Sequence, residues 1–209
     1  MTGDLRSRLR DRLERPLPGS AAHAEAWPAD LPARHLEGPE QALREAAVLL
    51  AIVPVGSRYS IPLIERPASM LHHPGQIALP GGRFLAGETA LECALREAHE
   101  EIGLSPDALE ILGRLTPVPV PASGHLVEVI VGWIERRPRW RIDPREVIRV
   151  IEADPDDLAT EGPVAQMERR MIDGGMRRVP AYRAGDALVW GATALMLAEF
   201  LQVWRSIRP

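Results

Sequence analysis

Apolar residues recur along this chain at two spacings, and the change from one to the other marks out its elements. Leu5, Leu9 and Leu13 fall four apart with arginines and acids between them, the stripe of an amphipathic helix over residues 4–16. The next stretch, RPLPGSAAHAEAWPADLPARHLEGPE, accumulates proline and glycine and reads as a loop or arm. Two continuous apolar runs follow, AAVLLAIVPV (46–55) and YSIPLIE (59–65), parted by a Gly-Ser turn signal, which predicts a hairpin of buried strands. From Thr89 to Ile102 the period changes: Leu91, Ala94, Leu95, Ala98 and Ile102 stand three and four apart, and Gly103 marks the stop of a helix. EILGRLTPVPV, HLVEVIVGWIE (125–135) and EVIRVIEA (146–153) read as further strands. Asp154, Pro155, Asp156 and Asp157 signal a turn or helix start, and WGATALMLAEFLQVWRSI (190–207) a long C-terminal helix. Strands interleaved with a few helices predict a layered α/β or α+β domain over 41–209, preceded by an N-terminal helix and proline-rich arm over 1–40.

Composition narrows what this domain binds. With 209 residues, 45% of them hydrophobic, the chain suits one well-buried core rather than two. The single cysteine, Cys93, excludes an internal disulfide and a multi-cysteine zinc site and fits a reducing compartment, so a cytoplasmic location is expected. The N-terminus lacks an apolar core of signal-peptide length, and no run approaches the roughly 20 apolar residues of a membrane span. A net charge of -4 without a dense basic cluster argues against nucleic acid as the partner. A small molecule is the better expectation. All 25 basic residues are arginine, whose planar fork suits phosphate.

The stretch LPGGRFLAGETALECALREAHEEIGL (79–104) carries the candidate chemistry. On a helix Glu97, Glu100 and Glu101 stand at i, i+3 and i+4, and three carboxylates so close raise one another's pKa. A divalent cation removes the conflict: magnesium takes oxygen ligands, zinc would want cysteine or clustered histidine, and calcium would want an EF-hand-like loop. A bare acidic helix face reads as solvated surface. The doubled glycine ahead of it does not, because Gly81 and Gly82 let the backbone come close to a phosphate.

Gly82, five residues, Glu88, seven residues, then Arg96-Glu97-Ala98-His99-Glu100-Glu101-Ile102-Gly103-Leu104 matches the Nudix box without a departure. Seven fixed positions coincide by chance on the order of 10^-8 per starting point. The chain therefore resembles the Nudix hydrolases, which cut a nucleoside diphosphate linked to another group. The resemblance implies an α/β/α sandwich with a central mixed sheet, a Nudix domain over 41–209, and magnesium, with manganese as the alternative, as cofactor. It also implies Glu97, Glu100 and Glu101 as metal ligands with the Gly81 carbonyl, Arg96 as the residue that orients these carboxylates, and Glu88 as a member of the same network. Cys93 reads as core and His99 as surface.

Upstream, PLIERPASMLHHPGQIALPGG (62–82) resembles the segment before the box in the coenzyme A pyrophosphatase branch, through Leu63, Ile64, Arg66, His73, Gly75, Gln76 and Pro80 to Gly82. PASGHLVEVIVG and VWGATALML resemble that branch too. Leu71 stands where the branch has a second arginine, Pro67 where it has Ser or Ala, and Glu128-Val129 where it has Thr-Pro. The implied substrate is coenzyme A or its thioesters, cut to 3',5'-ADP and 4'-phosphopantetheine, with Arg66, His73, Gly75, Gln76 and Gly82 on the substrate side and Arg66 the first candidate for a phosphate contact. His72 and His73 read as loop positions capping the glycine turn, and Trp190 and Thr193 as anchors of the last helix. The general base is open among Glu97, Glu101, Glu128 and Glu146, the last placed at the opening of a strand. Open as well are ADP-ribose, a dinucleotide coenzyme or a nucleoside triphosphate as substrate, a non-catalytic nucleotide sensor, an RNA-decapping enzyme, and a homodimer.

Overall fold

A computed structural model describes residues 4–29, 43–69, 74–121, 123–163, 165–170 and 174–208. The predicted hairpin forms first in the sheet: β1 (Arg44–Val55) turns at Gly56 (φ 61°) into β2 (Arg58–Glu65), with Val55 opposite Arg58. A two-residue turn of this kind needs positive φ, which glycine adopts without strain. β1 is buried on both faces. Ala46, Leu50 and Ile52 join one core, while Ala47, Leu49, Ala51 and Val53 join the other. Strict alternation of this sort fixes the register, because a slip by one residue would exchange the two sets.

Around β1 the sheet is mixed. β7 (His125–Ile134) runs parallel to it, and β2 and β4 (Gly81–Arg83) run antiparallel. Beyond β7 lie β5 (Leu109–Arg114) and β6 (Val118–Val120); β2 carries β3 (Ile77–Ala78) and β8 (Arg149–Ala153). Helix α3 (Ala90–Ile102) covers one face, and α1 (Leu5–Leu13) and α5 (Gly191–Ile207) lie on the other, the expected α/β/α sandwich with a central mixed sheet. No helix among the described residues is long and apolar enough to cross a membrane.

The three leucines of α1 are buried in the same core as α5. Next to α1, the short helix α2 (Ser20–His23) meets α5 around Glu199, a carboxylate with no exposure at all. Glu199 accepts from the Gly19 and Thr116 backbone N–H groups at 2.9 and 3.0 Å and from the Thr116 hydroxyl at 2.7 Å, and His23 Nε2 lies 3.5 Å away. Burial pushes its pKa up, but these partners outweigh burial and hold it below the usual carboxylate value.

Besides the short β3 and β4, three strands went unpredicted: β9 (Ala165–Arg170), β10 (Met176–Ala184) and β11 (Ala187–Trp190) form a separate antiparallel sheet ordered β11-β10-β9, with α4 (Pro155–Glu161) preceding it. Pro180 lies within the central strand β10, a position where the lost ladder donor argues against a strand. A second difference concerns residues 146–148, which were expected in a strand that begins only at Arg149. Asp143 diverts them: its carboxylate accepts the Arg145 N–H at 2.9 Å and its carbonyl accepts from Glu146 and Val147, an Asx-type turn.

Candidate active site

Helix α3 is fixed at both ends by local chemistry. Thr89 and Glu92 form a reciprocal capping box, legible as Thr-x-x-Glu in the sequence although the spacing went unused, and Gly103 closes the helix at φ 69°. Each residue advances about 100° around a helix, so Glu97 and Glu101 lie within about 40° of one another while Glu100 stands about 100° from Glu101. The structure follows this arithmetic. Glu101 is buried at 1% exposure, whereas the Glu100 side chain is 57% exposed and takes Arg96 Nη1 at 3.1 Å.

Glu97 and Glu101 are joined by a residue from far along the chain. One carboxylate oxygen each of Glu97, Glu101 and Glu146 lies within 4.8 Å of the others. Glu146 arrives on the turn at 144–146, held because the following strand β8 pairs with β2 and the Asp143 N–H bonds the Glu101 carbonyl at 3.1 Å. Of the expected ligands, Glu97 and Glu101 stand in this group; Glu100 lies outside it. Gly81 meets the group through its N–H, which donates to Glu101 Oε2 at 2.9 Å. Arg66 Nη1 donates to Glu101 Oε1 at 3.2 Å, and its buried Nε has no hydrogen-bond partner.

Arg96 ties the remaining acids together. It donates to Glu88 through Nε and Nη2 at 2.7 and 2.9 Å, to Glu97 Oε1 at 2.7 Å, and to the Arg83 carbonyl at 3.1 Å. The paired guanidinium, helped by the Leu85 N–H, holds the Glu88 carboxyl down at about 2, and Glu88 in turn raises Arg96. Cys93 is buried beside this network, its thiol pushed up to about 11 by burial and then by Glu88 and Glu97. It is packing rather than chemistry.

The two glycines serve different ends. A Cβ on Gly82 would occupy the place of the Glu97 carboxylate; one on Gly81 would lie 2.6 Å from Val48 Cα and against the Ala47 carbonyl. Gly82→Ala is therefore expected to cost about 10^2-fold in turnover with the melting temperature nearly kept, because only a side-chain end must move. Gly81→Ala must push strand β1 aside and is expected to lower the melting temperature by roughly 5–10 °C. Paired thermal melts and initial rates separate the two; equal melting temperatures would reject the assignment.

Among the other expected site residues, Gly75 lies on an exposed turn and the Gln76 carbonyl accepts the Arg66 N–H at 3.0 Å. His73, with His72 and Leu71, lies outside the described residues. Glu128 stands apart from the three carboxylates, 4.0 Å from Arg114. Trp190, expected to anchor the last helix, is half-buried at the end of β11 and carries the Arg169 guanidinium over its ring at 4.8 Å.

Burial, ahead of every partner, pushes Glu101 up to about 8, and burial likewise raises Glu97. Two carboxylates whose ionisation burial opposes, with a Glu146 oxygen within 4.8 Å of both, are the donor set for a hard divalent cation, so the residues present fit one. The same shift predicts a pH dependence in chelator-treated protein. Between about 4.5 and 8 the folded chain holds a proton at Glu101 that the unfolded chain has released, so stability must fall as pH rises, by at most about 1.4 kcal/mol per pH unit. Chemical denaturation at pH 5, 6.5 and 8 with and without magnesium measures this. Stability rising with pH in the chelated protein would reject it.

Comparison with known proteins agrees with this geometry. Residues 43–173 match the family model of the NUDIX domain. An uncharacterised Nudix hydrolase, NudL, of Citrobacter koseri is 32% identical over 179 residues, covering 79% of this chain and 85% of the relative. The NudL of an Enterobacter species is 34% identical over 160 residues, 75% and 80% of the two chains. A solved Nudix hydrolase from M. smegmatis, RenU, superposes with a TM-score of 0.56 at 20% identity, over 79% of this chain and 88% of that one. The MutT protein of Methanosarcina mazei gives 0.53 at 17% identity over 82% and 100%. These last two are likenesses of fold.

Proposed function

The chain belongs to the Nudix hydrolase family, which acts on nucleoside-diphosphate-linked substrates, and from that premise we propose that it hydrolyses the diphosphate of coenzyme A or its thioesters with a divalent cation, magnesium first. The observation that carries the reading is the convergence of Glu97, Glu101 and Glu146 beside the close-packed Gly81-Gly82 backbone. These three carboxylates would hold the cation. When bound, it offsets charge on the phosphate oxygens and lowers the pKa of the attacking water.

The chain's own residues do the rest. Arg96 clamps Glu97 from behind, and Gly82 leaves the room that this carboxylate fills. Arg66 lies against Glu101 with a buried N–H to spare, so it suits an oxygen of the diphosphate that is cut. Glu101 has both oxygens engaged by Gly81 and Arg66, and Glu97 has one engaged by Arg96, whereas no side-chain or backbone donor among the described residues bonds the Glu146 carboxylate. A carboxylate with free lone pairs is the better proton acceptor, which favours Glu146 as the base toward the attacking water. The substrate choice rests on the Leu63-Ile64, Arg66, Gly75-Gln76 and Pro80-Gly82 positions.

Product analysis by mass spectrometry tests the proposal, with magnesium and a panel of coenzyme A, dephospho-coenzyme A, ADP-ribose, a reduced dinucleotide and a nucleoside triphosphate. Coenzyme A is expected to turn over fastest, releasing 4'-phosphopantetheine. Faster cleavage of another member would overturn the substrate and keep the chemistry. Binding with no cleavage anywhere would make the protein a sensor.

A further inference from the structure

The Glu146 carboxylate stands within 4.8 Å of two others and has no donor of its own among the described residues, so repulsion would turn it outward unless its backbone is fixed. The segment that carries it is pinned at both ends. The Arg141 N–H donates to the Ile102 carbonyl at 2.9 Å and the Asp143 N–H to the Glu101 carbonyl at 3.1 Å; past Glu146, the Ile148 N–H donates to the Glu65 carbonyl at 2.8 Å. Between these pins runs Asp143-Pro144-Arg145-Glu146, a β-turn closed by the Glu146 N–H on the Asp143 carbonyl at 3.0 Å, with proline at the second position, which its fixed φ suits. Glu101 thus meets the turn twice, through its carbonyl at Asp143 and through its carboxylate at Glu146.

The Asp143 side chain braces the same turn. Its Oδ1 accepts the Arg145 N–H at 2.9 Å and Arg145 Nε at 3.0 Å. The Arg145 side chain is 85% exposed, and an ion pair so open to water adds little to overall stability, so what the carboxylate contributes is the shape of the turn. We infer that Asp143 is a positioning residue: without touching substrate, its carboxylate holds the turn that presents Glu146 to the cation. This rests on the proposed cation site and is independent of which diphosphate is cut.

Manganese binding to the full chain, followed by calorimetry without substrate, tests this in a double-mutant cycle with Glu146→Gln. Asp143→Ala is expected to weaken manganese affinity about 10-fold, the low end of what a group supporting a metal ligand is worth. Asp143→Asn, whose amide oxygen still accepts the Arg145 N–H, should stay within about threefold of the wild type. In the Glu146→Gln background Asp143→Ala should change the affinity by less than about twofold, since no charged group remains for the turn to present. Asp143→Glu keeps the charge but displaces the acceptor by one methylene, and carries the cycle if Asp143→Ala does not fold. A loss of equal size in both backgrounds, no loss in either, or an Asp143→Asn as weak as Asp143→Ala overturns the positioning role. A wild type that binds no manganese overturns it together with the cation site. Failure of the wild type to cut any diphosphate would instead overturn the proposed activity, and the manganese cycle would be unaffected by that result.

Discussion

Glu101→Gln is expected to reduce turnover by about 10^3-fold or more while the protein still folds, the largest effect of any single substitution here. Glutamine keeps the shape and one carbonyl oxygen but removes the negative charge at the most buried of the three carboxylates. Loss of activity alone would not separate a metal role from general damage. The pH series does: chelated wild type loses stability as pH rises toward 8, and the variant, with only Glu97 left of the two carboxylates that burial raises, should show a much shallower profile in the same window. Magnesium should raise the melting temperature of the wild type and leave the variant where it is. Wild-type rates in Glu101→Gln would remove the metal assignment altogether.

Glu146→Gln is expected to cost about 10^2- to 10^4-fold in kcat, against less than about 10-fold for Glu100→Gln. The box pattern would rank these two the other way, since Glu100 is part of it and Glu146 is not. The geometry reverses the order: Glu146 joins Glu97 and Glu101, and Glu100 is an exposed partner of Arg96. A base role predicts more than a lower rate, because the acid limb of the kcat profile should disappear in Glu146→Gln. A larger loss in Glu100→Gln than in Glu146→Gln would return the family ligand set to first place.

What was legible in the sequence was whatever local spacing controls. The loop-helix segment could be read because each part acts on a near neighbour: Arg96 on Glu88 and Glu97, Gly82 on Glu97, Thr89 on Glu92. Helical geometry alone would also have turned Glu100 away from Glu101. Glu146 could be named as a candidate base from its sequence, but its meeting with Glu97 and Glu101 depends on β8 pairing with β2 and on the turn that Asp143 makes, neither of which any short window encodes. The small sheet was hidden by its composition. AQMERR reads as polar surface, and β10 carries a proline at a position that disfavours a strand, so the pairing of β9 with β10 emerges only from the register.

The knot at Glu199 sets the smallest piece of this chain worth making. Residues 43–173 are those the family model recognises, yet Glu199 lies beyond that stretch, and two of its partners, Gly19 and His23, come before it. A fragment that starts after residue 29 would strand an ionised carboxylate in the middle of α5 with only Thr116 to meet it, and one that stops at 173 would strip α5, the longest helix of its layer, from the sheet. Trimming to the recognisable core, the usual first step toward crystals or a tethered assay, would here dismantle the protein from both ends.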